Sequence, residues 1–156
     1  MLLCATISSD EISRQCGCIY AVLVVEESQV YIGQTRASLG ALGRLSQHLA
    51  FNSPSTLRKR VNEILGAELS NLGPVEFAAV RLANQNIFHN EARDYREAVE
   101  ALCQYNMIAK IQRADFNLGF ISRVNKNGYT KDSDVLSEAE RVSSKLFSWL
   151  EEICTH

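Results

Sequence analysis

Tyr20, Tyr31, Arg44 and His48, with a carboxylate on a later helix, are the side chains whose types and spacing could do chemistry together. A guanidinium meets phosphate oxygens in a planar fork, and a phenol or an imidazole can move a proton. A single carboxylate can hold a divalent cation that keeps most of its waters. Several familiar sites are missing: the sequence has no Walker loop, no GxGxxG, no HExxH and no GxSxG elbow. Cys16-x-Cys18 has the wrong spacing for a zinc knuckle and lacks a second pair, so both read as strand cysteines.

The elements that must position these residues follow from hydrophobic period and turn signals. Residues 16–25 are rich in β-branched and aromatic side chains, and after Glu26-Glu27-Ser28-Gln29 comes Val30-Tyr31-Ile32-Gly33, which together predict a β-hairpin. With the turn centred on Glu27-Ser28, Val24 faces Tyr31 and Val22 faces Gly33. Because side chains alternate, Tyr20, Val22, Val24, Tyr31 and Gly33 share one face of the sheet. Residues 38–51 carry Leu39, Leu42, Leu45 and Leu49 at helical spacing, with Arg44 and His48 four apart on that helix. A second helix opens at Ser53-Pro54, with Arg58, Lys59 and Arg60 near its start; Ser38 and Ser53 read as helix caps. Residues 74–82 predict a third strand. A long helix follows from about Asn86 or Asn90 to Cys103, with the stripe Phe88, Tyr95, Val99 and Leu102. Residues 116–129 read as irregular, and residues 137–153 as a last amphipathic helix bearing Leu136, Ala139, Val142, Leu146, Trp149, Leu150 and Ile153. That stripe is expected to pack on its own chain ahead of forming a two-fold interface. The expected fold is α/β: a small three-stranded mixed sheet flanked by helices, with an extra C-terminal helix.

The chain has 156 residues, 46% of them apolar and only two of them proline, which predicts one domain over 1–156 and excludes a low-complexity or disordered chain. The apolar run of residues 19–25 is far short of a membrane span, and residues 1–11 lack the basic n-region of a signal peptide. Five scattered cysteines suit a reduced, cytoplasmic protein. The net charge of −2 argues against a nonspecific nucleic-acid coat, yet it hides an asymmetry. Between Ser28 and Asn62 there is no Asp or Glu, whereas Arg36, Arg44, Arg58, Lys59 and Arg60 all fall there. Such a basic island fits either one anionic ligand or a solvated helix face.

At these residues the sequence resembles the GIY-YIG endonuclease family. Cys18-Ile19-Tyr20 and Tyr31-Ile32-Gly33 look like the two halves of the motif that names it, with Cys18 in place of the first glycine. Arg44-x-x-x-His48 looks like the family's arginine and the histidine one turn later. Residues 87–91, ending in Glu91, and Tyr105-Asn106 look like its helical glutamate and later Tyr-Asn pair. The match covers residues 16–106, leaving 107–156 as a C-terminal extension, and the long stretch from Gly33 to Arg44 is similar to the restriction-enzyme branch. The resemblance implies a Mg²⁺-dependent (or Mn²⁺-dependent) DNA endonuclease that leaves 5′-phosphate and 3′-hydroxyl ends, of restriction or mobile-element type.

The chemistry of the residues agrees. Phosphodiester hydrolysis needs a base for water, a cation facing the transition-state charge, and a metal that polarises the phosphoryl oxygen. Arg44 suits the second role. Tyr20 serves as base if the metal and Arg44 depress its pKa from about 10, and His48 shares that role or binds phosphate. For the metal ligand, Glu91 has Ile87 and Phe88 one turn before and Tyr95 one turn after, so it is expected to border the buried stripe and face the sheet. Glu97 lies about 200° round the helix from Tyr95, on the expected solvent side. Glu91 is therefore preferred to Glu97. Arg36, Arg58, Lys59, Arg60 and Asn106 are candidate nucleic-acid contacts, although Asn106 also reads as a helix C-cap. A monomer and a homodimer both remain open. The rival reading is a binding module on the same fold, and it needs no convergence of Tyr20, Arg44 and the carboxylate on one pocket.

Overall fold

Strand β1 (Cys18–Val24) is buried along its whole length, which is why its sequence runs apolar without alternation. It lies between β2 (Gln29–Thr35) and β3 (Val75–Arg81), antiparallel to both. In this computed structural model, residues 9–50, 54–123 and 125–155 are described. A two-residue strand, β4 (Gly119–Phe120), pairs parallel to β2 and completes the order β3-β1-β2-β4. The sheet therefore has four strands where three are expected, and it is mixed only because of β4. So short a segment carries no alternation to read. It is held by main-chain bonds from Gly119 to Ser28 and from Ile121 to Val30.

The hairpin register differs from the expected one by two residues. Tyr20 faces Gly33 and Val22 faces Tyr31. The turn closes earlier because the Ser28 N–H donates to the Val25 carbonyl, with Ser28 in the left-handed region at φ 50°. An even slip leaves every side chain on its expected face, so Tyr20, Val22, Val24 and Tyr31 do share one cluster.

Helices cover both faces. On the face of Tyr20, α1 (Gly40–Leu49) and α2 (Thr56–Leu65) pack above the sheet, with Leu57 and Val61 buried. Ser38 does not cap α1, whose N-cap is Leu39 without a side-chain bond; Ser55 caps α2 by accepting the Arg58 N–H, and Ser53 lies outside the described residues. The opposite face carries Ile19, Ala21, Leu23, Val30 and Ile32 against the helices that follow β3.

The expected long helix is broken. A short α3 (Asn86–His89) ends before α4 (Asp94–Arg113) begins, and α4 runs well past Cys103 with Met107 and Ile111 buried. The break has a local cause. The buried Arg96 guanidinium donates from Nη1 to the carbonyls of Phe88, Asn90 and Ala92, which takes acceptors a continuous helix would use. His89 fixes the other side, since Nδ1 accepts the Gly17 N–H and Nε2 donates to the Ala83 carbonyl.

Helix α5 (Ser133–Cys154) starts four residues before the expected 137, because the Asp132 carboxylate caps it through the N–H groups of Asp134 and Val135. Its stripe of Val135, Ala139, Val142, Leu146 and Leu150 joins the cluster of Ile19 and α4, so it packs on its own chain; Leu136 stands outside the stripe, half exposed. Core and extension thus share one interior. Leu146→Ala is expected to cost about 2–5 kcal/mol in denaturant unfolding, as for other fully buried leucines. A loss well under that range would show α5 to be only loosely docked. No helix among the described residues is long and apolar enough to cross a membrane.

Candidate active site

The Tyr20 ring points from the centre of β1 toward α1, and its hydroxyl sits 2.7 Å from His48 Nε2. Arg44 donates from Nε to the same hydroxyl at 3.4 Å. Gly33 makes room for this arrangement: a Cβ there would lie 2.6 Å from Tyr20 Cζ. Tyr31, beside Tyr20 on the same face, bonds through its hydroxyl to Thr56 Oγ1 at 2.9 Å. Arg44 also donates to Thr56 Oγ1 at 3.3 Å and to Gln47 Oε1 at 3.0 Å. The guanidinium is thus oriented by neutral acceptors, and among the described residues no carboxylate lies within ion-pair distance of it.

Burial governs protonation here. It lowers His48 to about 3, with help from the Arg44 charge, so the imidazole is neutral. The His48 Nδ1 has no partner among the described residues. Burial first, and Tyr31 second, raise Tyr20 above its ordinary value despite Arg44, and Tyr31 is raised by burial first and by the Glu100 charge. The expected depression of the Tyr20 pKa by Arg44 is not present in the protein alone: loss of hydration outweighs one guanidinium.

Tyr20, Tyr31, Gly33 and Arg44 line one cavity of about 620 Å³ together with Glu97 and Glu100 of α4. Glu100 is half-buried and pushed up to about 8, by burial first and by the Glu97 charge second. Gln104, one turn on, donates from Nε2 to Glu100 Oε1 at 3.1 Å and to the Ile32 carbonyl at 3.2 Å. Glu97 pairs with Arg93 at 3.0 Å.

Glu91 is placed otherwise than expected. It lies exposed in the link between α3 and α4, and it lines a neighbouring hollow that includes Arg44 but not Tyr20. Glu97, and not Glu91, lines the cavity, because the break after His89 takes Glu91 out of the helix. Glu100 was missed by the sequence reading. Its signal is the polar set Glu97, Glu100 and Gln104 at i, i+3 and i+7 among the buried Ala98, Val99, Ala101 and Cys103.

The basic island is divided. Lys59 and Arg60 line the cavity, Lys59 exposed and 3.8 Å from Glu63, Arg60 tied to the Ile121 carbonyl and Glu63. Arg58 turns away, donating to the Ala50 carbonyl and pairing with Glu68 at 3.3 Å. Arg36 lines the neighbouring hollow and donates to the His89 carbonyl. Asn106 lies within α4, not at its C-cap, and donates to Glu140 on α5. Arg123 and Lys126, which the sequence did not single out, add further positive charge to the cavity wall.

If the cavity binds a polyanion, neutralising Lys59 should flatten the salt dependence of binding by about one unit in log–log slope. Arg58→Gln should leave the slope unchanged, as read by anisotropy of a labelled duplex. Equal effects from both would mean that Arg58 leaves Glu68 on binding.

Among the described residues no three His, Cys, Asp or Glu side chains gather into a metal cage. Mg²⁺ asks for less, since it is commonly held by one or two carboxylates, waters and substrate oxygens. Glu100 fits that demand: its carboxylate is half-buried without a cationic partner among the described residues, and a cation would stabilise its charged form. No protein-family model, no curated protein and no solved structure matches this chain.

Proposed function

We propose that the chain is a divalent-cation-dependent endonuclease of the GIY-YIG type, hydrolysing DNA phosphodiester bonds to 5′-phosphate and 3′-hydroxyl ends. The observation that carries this reading is convergence. Tyr20, Arg44 and Glu100 come from β1, α1 and α4 and line one cavity with a basic rim, with His48 bonded to Tyr20 behind its wall. A module that only grips nucleic acid has no need of a half-buried carboxylate beside an unneutralised guanidinium and a tyrosine–histidine pair.

In this reading Glu100 holds the cation, with Gln104 orienting its carboxylate. When bound, Mg²⁺ or Mn²⁺ polarises the phosphoryl oxygen and eases departure of the leaving oxygen. Arg44 faces the charge that grows on the phosphoryl oxygens, and Tyr20, Gln47 and Thr56 keep it aimed. Tyr20 Oη orients the attacking water and takes its proton while its own proton passes to His48 Nε2. Burial disfavours both a free tyrosinate and a free imidazolium here, so this transfer accompanies attack and does not precede it. Lys59, Arg60, Arg123 and Lys126 attract and align the backbone.

Incubating supercoiled plasmid with the purified chain, with Mg²⁺ or with a chelator, tests the proposal. Nicked or linear product that requires the cation and carries 5′-phosphate ends is expected. Binding without cleavage under Mg²⁺ and Mn²⁺ alike would favour the binding module.

A further inference from the structure

On the far side of Arg44 lies a second hollow of about 560 Å³, continuous with the cavity through the shared residues Gln34, Arg44 and Arg93. We propose that this hollow is a phosphate-binding subsite, filled by the phosphodiester next to the scissile one. The inference rests on the nuclease reading for the source of that phosphate.

Four guanidiniums surround the hollow, from Arg36, Arg44, Arg93 and Arg96, against one carboxylate among the described residues, that of Glu91. Of the four, only Arg93 has an ion-pair partner among the described residues, Glu97. Unneutralised like charges held this close repel one another unless an anion joins them. Arg96 shows the strain of that placement: its guanidinium is lowered from its ordinary value by burial first and by Arg36 second.

The site is also built, in that its donors are held in place. Arg96 is only 4% exposed and is anchored by Gln34 and the carbonyls of the α3–α4 link. Arg36 is anchored through Nε to the His89 carbonyl, and its η nitrogens have no partner among the described residues. The anchors leave both η nitrogens of Arg36 and Nη2 of Arg96 to donate to phosphate oxygens. The same charge balance makes the hollow unfavourable for a metal ion at Glu91.

Inorganic phosphate titrated into the full chain at constant ionic strength, with the Nε–Hε signals of Arg36 and Arg96 followed by NMR, reads the site directly. Saturable shifts of both signals are expected. Glu91→Gln, an exposed change that removes the opposing charge, should tighten phosphate binding several-fold. Unmoved signals, or no tighter binding in Glu91→Gln, overturn the subsite. In a second arm with duplex DNA, Arg36→Gln should flatten the salt slope by about one unit and Arg36→Lys should restore it. An unchanged slope in Arg36→Gln removes the DNA strand as the source of the phosphate. Absence of DNA binding by the unsubstituted chain counts against the nuclease reading, while the phosphate shifts still decide the subsite.

Discussion

Glu100→Gln should abolish cleavage while making the protein harder to melt. If Glu100 holds the cation, losing its carboxylate removes several kcal/mol of transition-state stabilisation, about 10³-fold in rate. The stability change has the opposite sign. Glu100 titrates near 8 in the folded protein against an ordinary 4.5, so the folded state binds the extra proton between those values. Stability linked to Glu100 is therefore present below 4.5 and lost as pH rises through 8. Gln, uncharged throughout, should raise the melting temperature most above pH 8, with the difference shrinking toward pH 4.5. In the unsubstituted chain, apparent Mg²⁺ affinity should fall about tenfold for each pH unit below that pKa, because a ligand must be deprotonated to bind. Thermal melts and metal titrations across this range measure both. If Glu91→Gln abolishes cleavage and Glu100→Gln does not, the metal belongs in the second hollow.

Tyr20→Phe carries the next largest effect. Removing the hydroxyl takes away the bond to His48, the proton relay in the proposed mechanism, and one acceptor that aims Arg44, so cleavage should fall about 10²–10⁴-fold. It also leaves a buried imidazole nitrogen without its partner, at about 1–3 kcal/mol of stability. DNA affinity should hardly change, because the rim that attracts the backbone is untouched. Single-turnover cleavage beside an anisotropy titration separates the two quantities. Retained cleavage in Tyr20→Phe would move proton transfer to Tyr31, whose hydroxyl faces Thr56 in the same cavity.

The half of the site that lies on short-range pattern was legible in the sequence. Alternation alone puts Tyr20 and Tyr31 on one face, and because that face is set by parity it survived a two-residue error in register. Spacing alone puts Arg44 and His48 on one helix, though nothing in it tells that His48 is fully buried against Tyr20. The carboxylate was misplaced for a tertiary reason. A helical wheel drawn from Asn86 assumes an unbroken helix, whereas Arg96 captures three carbonyls and stops it. Tyr95, Val99 and Leu102 still reach the same core as Phe88, while Glu91 falls in the link and off the helix. The division of Arg58 from Lys59 and Arg60 was hidden likewise, since Glu68 and the Ala50 carbonyl reach Arg58 only in three dimensions. Strand β4 left no pattern because two residues cannot show one.

The cavity wall draws on residues from Tyr20 to Lys126, with the hairpin at one end of that span and the loop after β4 at the other. During synthesis the hairpin and α1 emerge long before α4, so the tyrosines and Arg44 exist for a time without Glu100. Chains fold broadly from the N-terminus as they are made, and long-range contacts close last. If the cavity is the nuclease site, a nascent chain or a fragment that stops short of α4 lacks the Glu100 wall and should not cut DNA until that segment has docked.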